Sequence, residues 1–192
     1  MVTVMICGAH NDTSLADALL AGCSSLGATA ACITQRSVSR VPPDAGSCDF
    51  LLLDSVAVRS INIENGIAIF KSNMNCGDAT QDADVSGLML PTGFTAVVEP
   101  ENEPAIEIIR RSRVQAITCG LSQADTLTFS SIDTGNAVIS LQRAIQSLYG
   151  GAILPRDIPV SFGSAYSGYQ LLATAAIMLL SETPLPDSGL TL

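Results

Sequence analysis

The residues with the most chemical potential lie in a short turn after the first apolar segment. Residues 8–14 read GAHNDTS. In a nucleotide-binding α/β fold, backbone N–H groups at such a turn and at the start of the next helix form an anion site. A phosphate loop also needs a lysine for the β- and γ-phosphates and a hydroxyl group for Mg²⁺. The turn has Gly8 and the hydroxyls of Thr13 and Ser14, but Asn11 and Asp12 stand where Gly-Lys is needed.

Asp12 makes this turn a poor triphosphate site, because its carboxylate repels the anion that a lysine would attract. Two unit charges about 4 Å apart interact by roughly 4 kcal/mol at an effective dielectric constant near 20. The structural interpretation is that Asp12 or Thr13 caps the following helix, with Asp12 also complementing the helix dipole. The functional interpretation is a retained anion or small-ligand site. On the first interpretation His10 is a surface residue of the turn, and on the second it is a candidate base.

Composition excludes several classes of function. The 192 residues include 18 acidic and 9 basic side chains, a formal charge of −9, which disfavours a protein that binds nucleic-acid phosphates. A single histidine gives little support to a Ser/His/Asp triad. The most apolar run, residues 171–180, is shorter than the roughly 20 residues that span a bilayer. We therefore expect neither a nucleic-acid partner nor a membrane partner.

The six cysteines predict thiols and not disulfides. The sequence has no Cys-x-x-Cys pair and no secretion signal at its N-terminus. Most of the cysteines lie in or beside apolar segments, where a free thiol behaves as a small hydrophobic side chain. We expect reduced, buried, inert cysteines in a cytoplasmic protein. They are Cys7, Cys23, Cys32, Cys48, Cys76 and Cys119.

The elements that position the turn alternate between strand and helix. Apolar, β-rich segments predict strands at residues 2–7, 28–33, 50–54, 66–70, 95–98 and 114–119. Helical spacing of apolar residues predicts helices at 13–26 and 104–111. Strands separated by helices or long crossovers predict a doubly wound α/β fold with a mostly parallel sheet.

The pattern changes after Gly120. Polar and apolar residues alternate in 126–132 and 137–143, which predicts half-exposed antiparallel strands. Residues 149–151 predict a hairpin turn, 158–162 a third small strand, and 166–181 a helix that packs into the core; the tail that follows is expected to fray. We expect one domain over residues 1–192, with a parallel core (1–120) and an antiparallel extension with a C-terminal helix (121–192).

Several segments, taken together, resemble the central ATP-binding domain of the Mur ligases and the folylpolyglutamate synthetases. Residues 8–14 occupy the register of the family loop Gly-Thr-Asn-Gly-Lys-Thr-Thr, without its Gly-Lys. Residues 50–55 resemble the strand that ends in a Mg²⁺-linked Glu, so that Asp54 stands in its place. Three further stretches are similar in the same order along the chain: residues 97–104, residues 116–125 and residues 158–180.

The resemblance implies a three-layer, P-loop-like fold, a vestigial phosphate loop and Asp54 as a candidate metal ligand. The chain departs from the family by lacking the loop lysine, the Asp-His pair after the fourth strand, and the His-Asn start of the last helix. It is also too short to include the family's N-terminal substrate domain or its C-terminal domain. We therefore expect a degenerate, non-ligating domain that acts as a binding or scaffold module, without a cofactor. Its expected partner is a second copy or an unidentified protein.

The alternative is a nucleotide- or anion-dependent enzyme that uses ATP and Mg²⁺, with a site that is rebuilt or completed by a partner chain.

Two acidic groups leave further alternatives open. Asp78, Asp82 and Asp84 could hold a hard cation, but their order does not fit an EF-hand and the sequence favours a solvated loop. The glutamates at 99, 101 and 103 lie at the junction between a predicted strand and a predicted helix, where acidic residues complement the helix dipole without catalysis; a ligand-binding role is the alternative.

Overall fold

The computed structural model describes residues 1–9, 11–35, 37–42, 47–55, 61–72, 87–163 and 165–192. Within these ranges the chain is an α/β structure with three helices and a seven-stranded mixed sheet that is mostly parallel. A four-stranded sheet and a two-stranded ladder complete it.

The large sheet forms from the first two thirds of the chain. Its elements are β1 (Val2–Cys7), α1 (Ser14–Ser25), β2 (Ala30–Ile33), β3 (Val38–Val41), β4 (Phe50–Asp54), β5 (Asn65–Phe70), β6 (Gly93–Val98), α2 (Glu103–Ser112) and β7 (Gln115–Thr118). The strand order is β3-β2-β4-β1-β5-β6-β7, and every neighbouring pair is parallel except β2 and β3. The predicted parallel sheet is confirmed, whereas the antiparallel edge strand β3 was not predicted.

The rest of the chain forms the second sheet and the last helix. Its elements are β8 (Leu127–Asp133), β9 (Asn136–Leu141), β10 (Ile145–Gln146), β11 (Ala152–Ile153), β12 (Arg156–Ser161), α3 (Gly168–Leu180) and β13 (Leu190–Thr191). The order is β13-β12-β9-β8, with β8, β9 and β12 antiparallel, as predicted. The predicted hairpin turn at residues 149–151 joins β10 to β11.

The expectation of a frayed tail is wrong. After Gly189, which has a positive φ of 83°, β13 pairs in parallel with β12, and Leu190 is fully buried opposite Val160. The reason is that the apolar residues Leu190 and Leu192 follow the turn and join the main core.

Alternate residues of the central strands supply two separate apolar cores. Val4 and Ile6 of β1 pack in one core with α1 and α3, whereas Met5 and Cys7 pack in the other with α2. Helix α3 is buried around most of its circumference, as its sequence predicts. Its contact with α1 is close, because a Cβ on Gly22 would lie 2.7 Å from Thr174 Cγ2.

The strand order creates a switch point beside β1. The chain leaves β1 toward β2 on one side and leaves β5 toward β6 on the other. In open α/β sheets, ligands bind in the crevice that such a reversal leaves at the carboxyl ends of the strands. Gly8, Asp54 and Lys71 each follow or end a strand at this edge.

Five of the six cysteines lie in the described ranges and are free thiols, four of them buried, as predicted. Burial raises the pKa of Cys7 and Cys23 to about 12 and that of Cys32 to about 11. Cys76 lies outside the described residues. None of the helices in the described ranges has the length and apolar character needed to cross a membrane.

Candidate functional site

The switch-point crevice is filled by Lys71, the only lysine in the sequence. Lys71 directly follows β5, and its side chain crosses the end of β1 toward β4. Its Nζ lies 2.6 Å from Oδ1 of Asp54, the last residue of β4. The Lys71 side chain is 2% exposed and the Asp54 side chain 1% exposed, so the two form a buried ion pair.

Three more oxygen atoms surround the Lys71 ammonium. Nζ donates to the carbonyl oxygen of Ala9 at 2.8 Å, to Ser55 Oγ at 2.9 Å, and to the carbonyl oxygen of Asp12. We call these three atoms and Asp54 Oδ1 the oxygen cage. An ammonium group has three N–H donors, so four oxygen neighbours occupy all of them. Lys71 therefore keeps no donor for a phosphate group.

Ser55 completes the cage from an unusual backbone conformation. Its φ is +52°, in the left-handed region that non-glycine residues seldom adopt. Its N–H donates to the Ile6 carbonyl at 2.9 Å, and its Oγ donates to Asp54 Oδ1 at 2.9 Å. Ser55 thus holds the Asp54 carboxylate in the position where it meets the ammonium.

Gly8 gives the Lys71 side chain its path. Gly8 has a φ of +142°, and a Cβ at this position would lie 2.8 Å from Lys71 Cβ and 3.1 Å from its Cγ and Cδ. From the sequence, this glycine is one of the residues that the turn shares with a phosphate loop. In the structure it makes room for a lysine side chain of the same chain.

The Asp12 carboxylate accepts hydrogen bonds from the first residue of α1. Asp12 Oδ1 accepts the Ser14 N–H at 3.0 Å and the Ser14 hydroxyl at 2.6 Å. Thr13 holds the N-cap position but its hydroxyl bonds Asp17 instead, so Asp12 supplies the capping bond. Partial burial alone would raise the pKa of Asp12, but the Ser14 hydrogen bonds and the Lys71 charge outweigh it and leave that pKa below its ordinary value.

The other predicted site residues are placed as follows. Asp54 ends its strand as predicted, but its carboxylate contacts an ammonium group. The described ranges contain no group of three His, Cys, Asp or Glu side chains suited to a metal ion. Asn11 is exposed in the turn. His10 and the acidic residues 78, 82 and 84 lie outside the described residues.

The sequence interpretation missed Lys71 and Ser55. Two signals point to Lys71: it is the only lysine of the chain, and it follows an apolar strand directly. Neither signal predicts that Lys71 contacts Asp54 and Ser55, because that contact depends on the strand order, in which only β1 separates β4 from β5.

The backbone at Lys71 is held from both faces of the sheet. On the α3 side, the Tyr169 hydroxyl donates to the Phe70 carbonyl at 2.6 Å. On the α2 side, Asn102 Nδ2 donates to the Lys71 carbonyl at 2.9 Å, while its Oδ1 accepts the Ala105 N–H and caps α2. Burial raises the pKa of Tyr169 well above its ordinary value, which keeps its hydroxyl a donor.

A second region at the same sheet edge is open. A cleft of about 860 Å³ lies beyond the ends of β6 and β7, beside the first turn of α3. We call it the acidic cleft, because its lining includes Glu99, Glu101 and Asp125. Asp125 is buried and accepts the Ser122 N–H at 3.0 Å. The α3 end is closed by a capping box between Ser167 and Gln170.

No family model matches the chain, and no curated protein matches it either. Its functional interpretation therefore depends on the geometry at the sheet edge and on the sequence resemblance described above.

Proposed function

We propose that the chain is one three-layer domain, similar to the Mur ligase central domain, that serves as a binding or scaffold module without ligase activity. One observation carries this proposal: the Lys71 ammonium is buried against Asp54 at 2.6 Å inside the loop that would hold phosphate. A degenerate phosphate loop of this kind supplies its own charges, so it needs neither a nucleotide nor Mg²⁺.

The energetics favour loss of nucleotide binding. Asp12 occupies the N–H of Ser14 at the helix start, and Lys71 has four oxygen neighbours. A triphosphate that used Lys71 would have to separate it from Asp54. Breaking a buried ion pair costs about 3–5 kcal/mol. Because every 1.4 kcal/mol is tenfold in affinity, this lowers the affinity by about two to four powers of ten.

The same pair argues against a metal at Asp54. A divalent cation would compete with an ammonium group that already neutralises the carboxylate at 2.6 Å. Electrostatic repulsion between the two cations in a buried site adds to that cost. In this proposal Lys71 supplies the positive charge that Mg²⁺ would bring.

For the binding role, we propose that the partner is a second copy of the chain or another protein. The overall charge of −9 disfavours nucleic acid. Light scattering over a concentration series tests self-association directly: a mass that rises toward twice 19.9 kDa supports a second copy. A constant monomer mass assigns the binding role to a different protein.

The alternative, a nucleotide- or anion-dependent enzyme, has one observation in its favour. The amine missing from the loop sequence does reach the loop, because Lys71 brings it from β5. In that case a phosphate would replace the carbonyl oxygens of Ala9 and Asp12 as the partner of Nζ.

Calorimetry with ATP and ADP in the presence of Mg²⁺ separates the two proposals. The binding-module proposal expects no measurable heat of binding for the wild-type protein at millimolar nucleotide. Micromolar binding contradicts it and supports the enzyme. The Asp12→Lys variant is the matched comparison: it gains phosphate affinity only where residues 8–14 keep the geometry of a phosphate loop.

A further inference from the structure

We propose that the oxygen cage is a binding site for a primary alkylammonium group, and that Lys71 is its covalently attached occupant. This goes beyond the proposed function, which assigns no ligand to the oxygen atoms around Lys71. On this proposal the turn that carries Ala9 and Asp12 binds a cation, whereas the phosphate loop that it resembles binds an anion.

The atoms that face the ammonium support this polarity. Two are main-chain carbonyl oxygens, of Ala9 and Asp12, and the others are the Asp54 carboxylate and the Ser55 hydroxyl. An anion site presents N–H groups to its ligand. Here the N–H groups of Ser14 and Ser55 donate to protein oxygens, Asp12 Oδ1 and the Ile6 carbonyl.

The space around the lysine stem sets the shape of the ligand. The Cβ, Cγ and Cδ atoms of Lys71 lie against Gly8, where no side chain intervenes. Because the Lys71 side chain is 2% exposed, the space that it fills is an enclosed slot for an unbranched alkyl chain, with the oxygen cage at its end. Truncating Lys71 after Cβ leaves a slot with the shape of propylammonium.

The test is rescue of the Lys71→Ala variant by propylammonium chloride, followed by thermal unfolding. We expect a saturable rise in the unfolding midpoint of about 5 °C, because a ligand that binds only the folded state stabilises it. Propanol, tetramethylammonium chloride and sodium phosphate should not reproduce it. The wild-type protein should not respond to propylammonium, because its slot is occupied.

The control is Lys71→Ala combined with Asp54→Asn, which removes the negative charge of the cage and should abolish the rescue. A folded Lys71→Ala variant that does not respond to propylammonium, or one that responds to phosphate instead, overturns the proposal. An equal rise with tetramethylammonium overturns it too, since that ion is too bulky for the slot. These outcomes are independent of nucleotide binding, so the proposed function stands or falls separately.

A measurement on the wild-type protein decides the matter if Lys71→Ala does not fold. Because the chain has one lysine, acetylation by an amine-reactive ester reports on Lys71 alone beside the terminal amine. We expect acetylation of Lys71 in the native protein to be slower by about a hundredfold or more than in urea. Acetylation as fast as that of the terminal amine overturns the proposal.

Discussion

Two regions at the carboxyl edge of the large sheet differ in how their polar groups are used. In the region around Lys71, the side chains of Lys71 and Asp54 are 2% and 1% exposed, and protein oxygens occupy every donor of the ammonium group. In the acidic cleft, Glu99 is half-buried beside about 860 Å³ of open space, and the described ranges show no hydrogen bond or ion pair to its carboxylate.

The comparison shows that position in an α/β sheet does not by itself make a ligand site. The switch point is where such folds bind ligands, yet here the chain satisfies its polar groups internally. The cleft lies beyond the ends of β6 and β7, and of its three carboxylates that of Asp125 is buried, whereas Glu99 is half-buried and Glu101 is exposed. The region around Lys71 should therefore contribute more to the free energy of unfolding than the acidic cleft, and five substitutions test this in decreasing order of expected effect.

The largest effect is expected from Lys71→Met, which keeps an unbranched side chain, one atom shorter, but leaves the Asp54 carboxylate buried without its ammonium partner. Breaking a buried ion pair costs about 3–5 kcal/mol of unfolding free energy. Urea denaturation measures this loss of unfolding free energy. The double variant Lys71→Met with Asp54→Asn should recover much of the loss, because it removes both charges. A loss below about 1 kcal/mol for Lys71→Met would show that the pair behaves like an exposed one.

Next comes Gly8→Ala, which adds a Cβ 2.8 Å from Lys71 Cβ at a φ of +142°. Strain and overpacking together should cost about 2–3 kcal/mol. The matched control is Gly27→Ala, at a φ of +68° with open space around it, which should cost about 1 kcal/mol. Equal losses in urea denaturation would show that the lysine stem does not press on Gly8.

Tyr169→Phe removes the hydroxyl that bonds the Phe70 carbonyl at 2.6 Å. A buried carbonyl that loses a partner costs about 1–2 kcal/mol. Tyr149→Phe, at a tyrosine that is 65% exposed, is the control and should change stability by less than about 0.5 kcal/mol. If both variants unfold at the same urea concentration as the wild type, the hydrogen bond from Tyr169 to the end of β5 does not contribute to stability.

Asp12→Ala removes the capping bond of α1 and should cost about 1 kcal/mol at neutral pH. The pKa of Asp12 is lowered from 3.8 in the folded state, so its charged form stabilises the fold above that pH. The difference between wild type and variant should therefore shrink as the pH falls below 3.8, through the lowered pKa. Urea denaturation at several pH values measures it, and a difference that grows toward low pH contradicts this assignment.

The smallest effect on stability is expected from Glu99→Gln in the acidic cleft. Its carboxylate is half-buried and should contribute less than about 0.5 kcal/mol to the free energy of unfolding. A loss as large as that of Tyr169→Phe would remove the distinction between the two regions.

The sequence predicted most of the helices and strands but not the order of the strands within the sheets. Periodicity located the strands and helices of the large sheet to within a few residues, because burial on two faces leaves an apolar run such as that of β4. The edge strand β3 escaped prediction because three of its four residues are exposed. The tail was misjudged because proline and glycine indicate a turn but not the strand after it.

The candidate site was predicted only in part. The capping role of Asp12 and the position of Asp54 at a strand end follow from local sequence. The pairing of Asp54 with Lys71 depends on β1 lying between β4 and β5, a long-range fact that no local pattern contains. For the same reason, the sequence of the turn alone does not predict that Gly8 contacts the Lys71 side chain.

The most direct test uses the only lysine as a spectroscopic probe. In protein labelled with ¹⁵N-lysine, NMR at neutral pH should show one Nζ signal with the coupling pattern of an ammonium group and slow hydrogen exchange. The signal should not move when millimolar ATP and Mg²⁺ are added, because Asp54 and the loop carbonyls already hold Lys71. A rapidly exchanging Nζ, or a signal that shifts at micromolar nucleotide, would contradict a loop that is neutralised by its own chain.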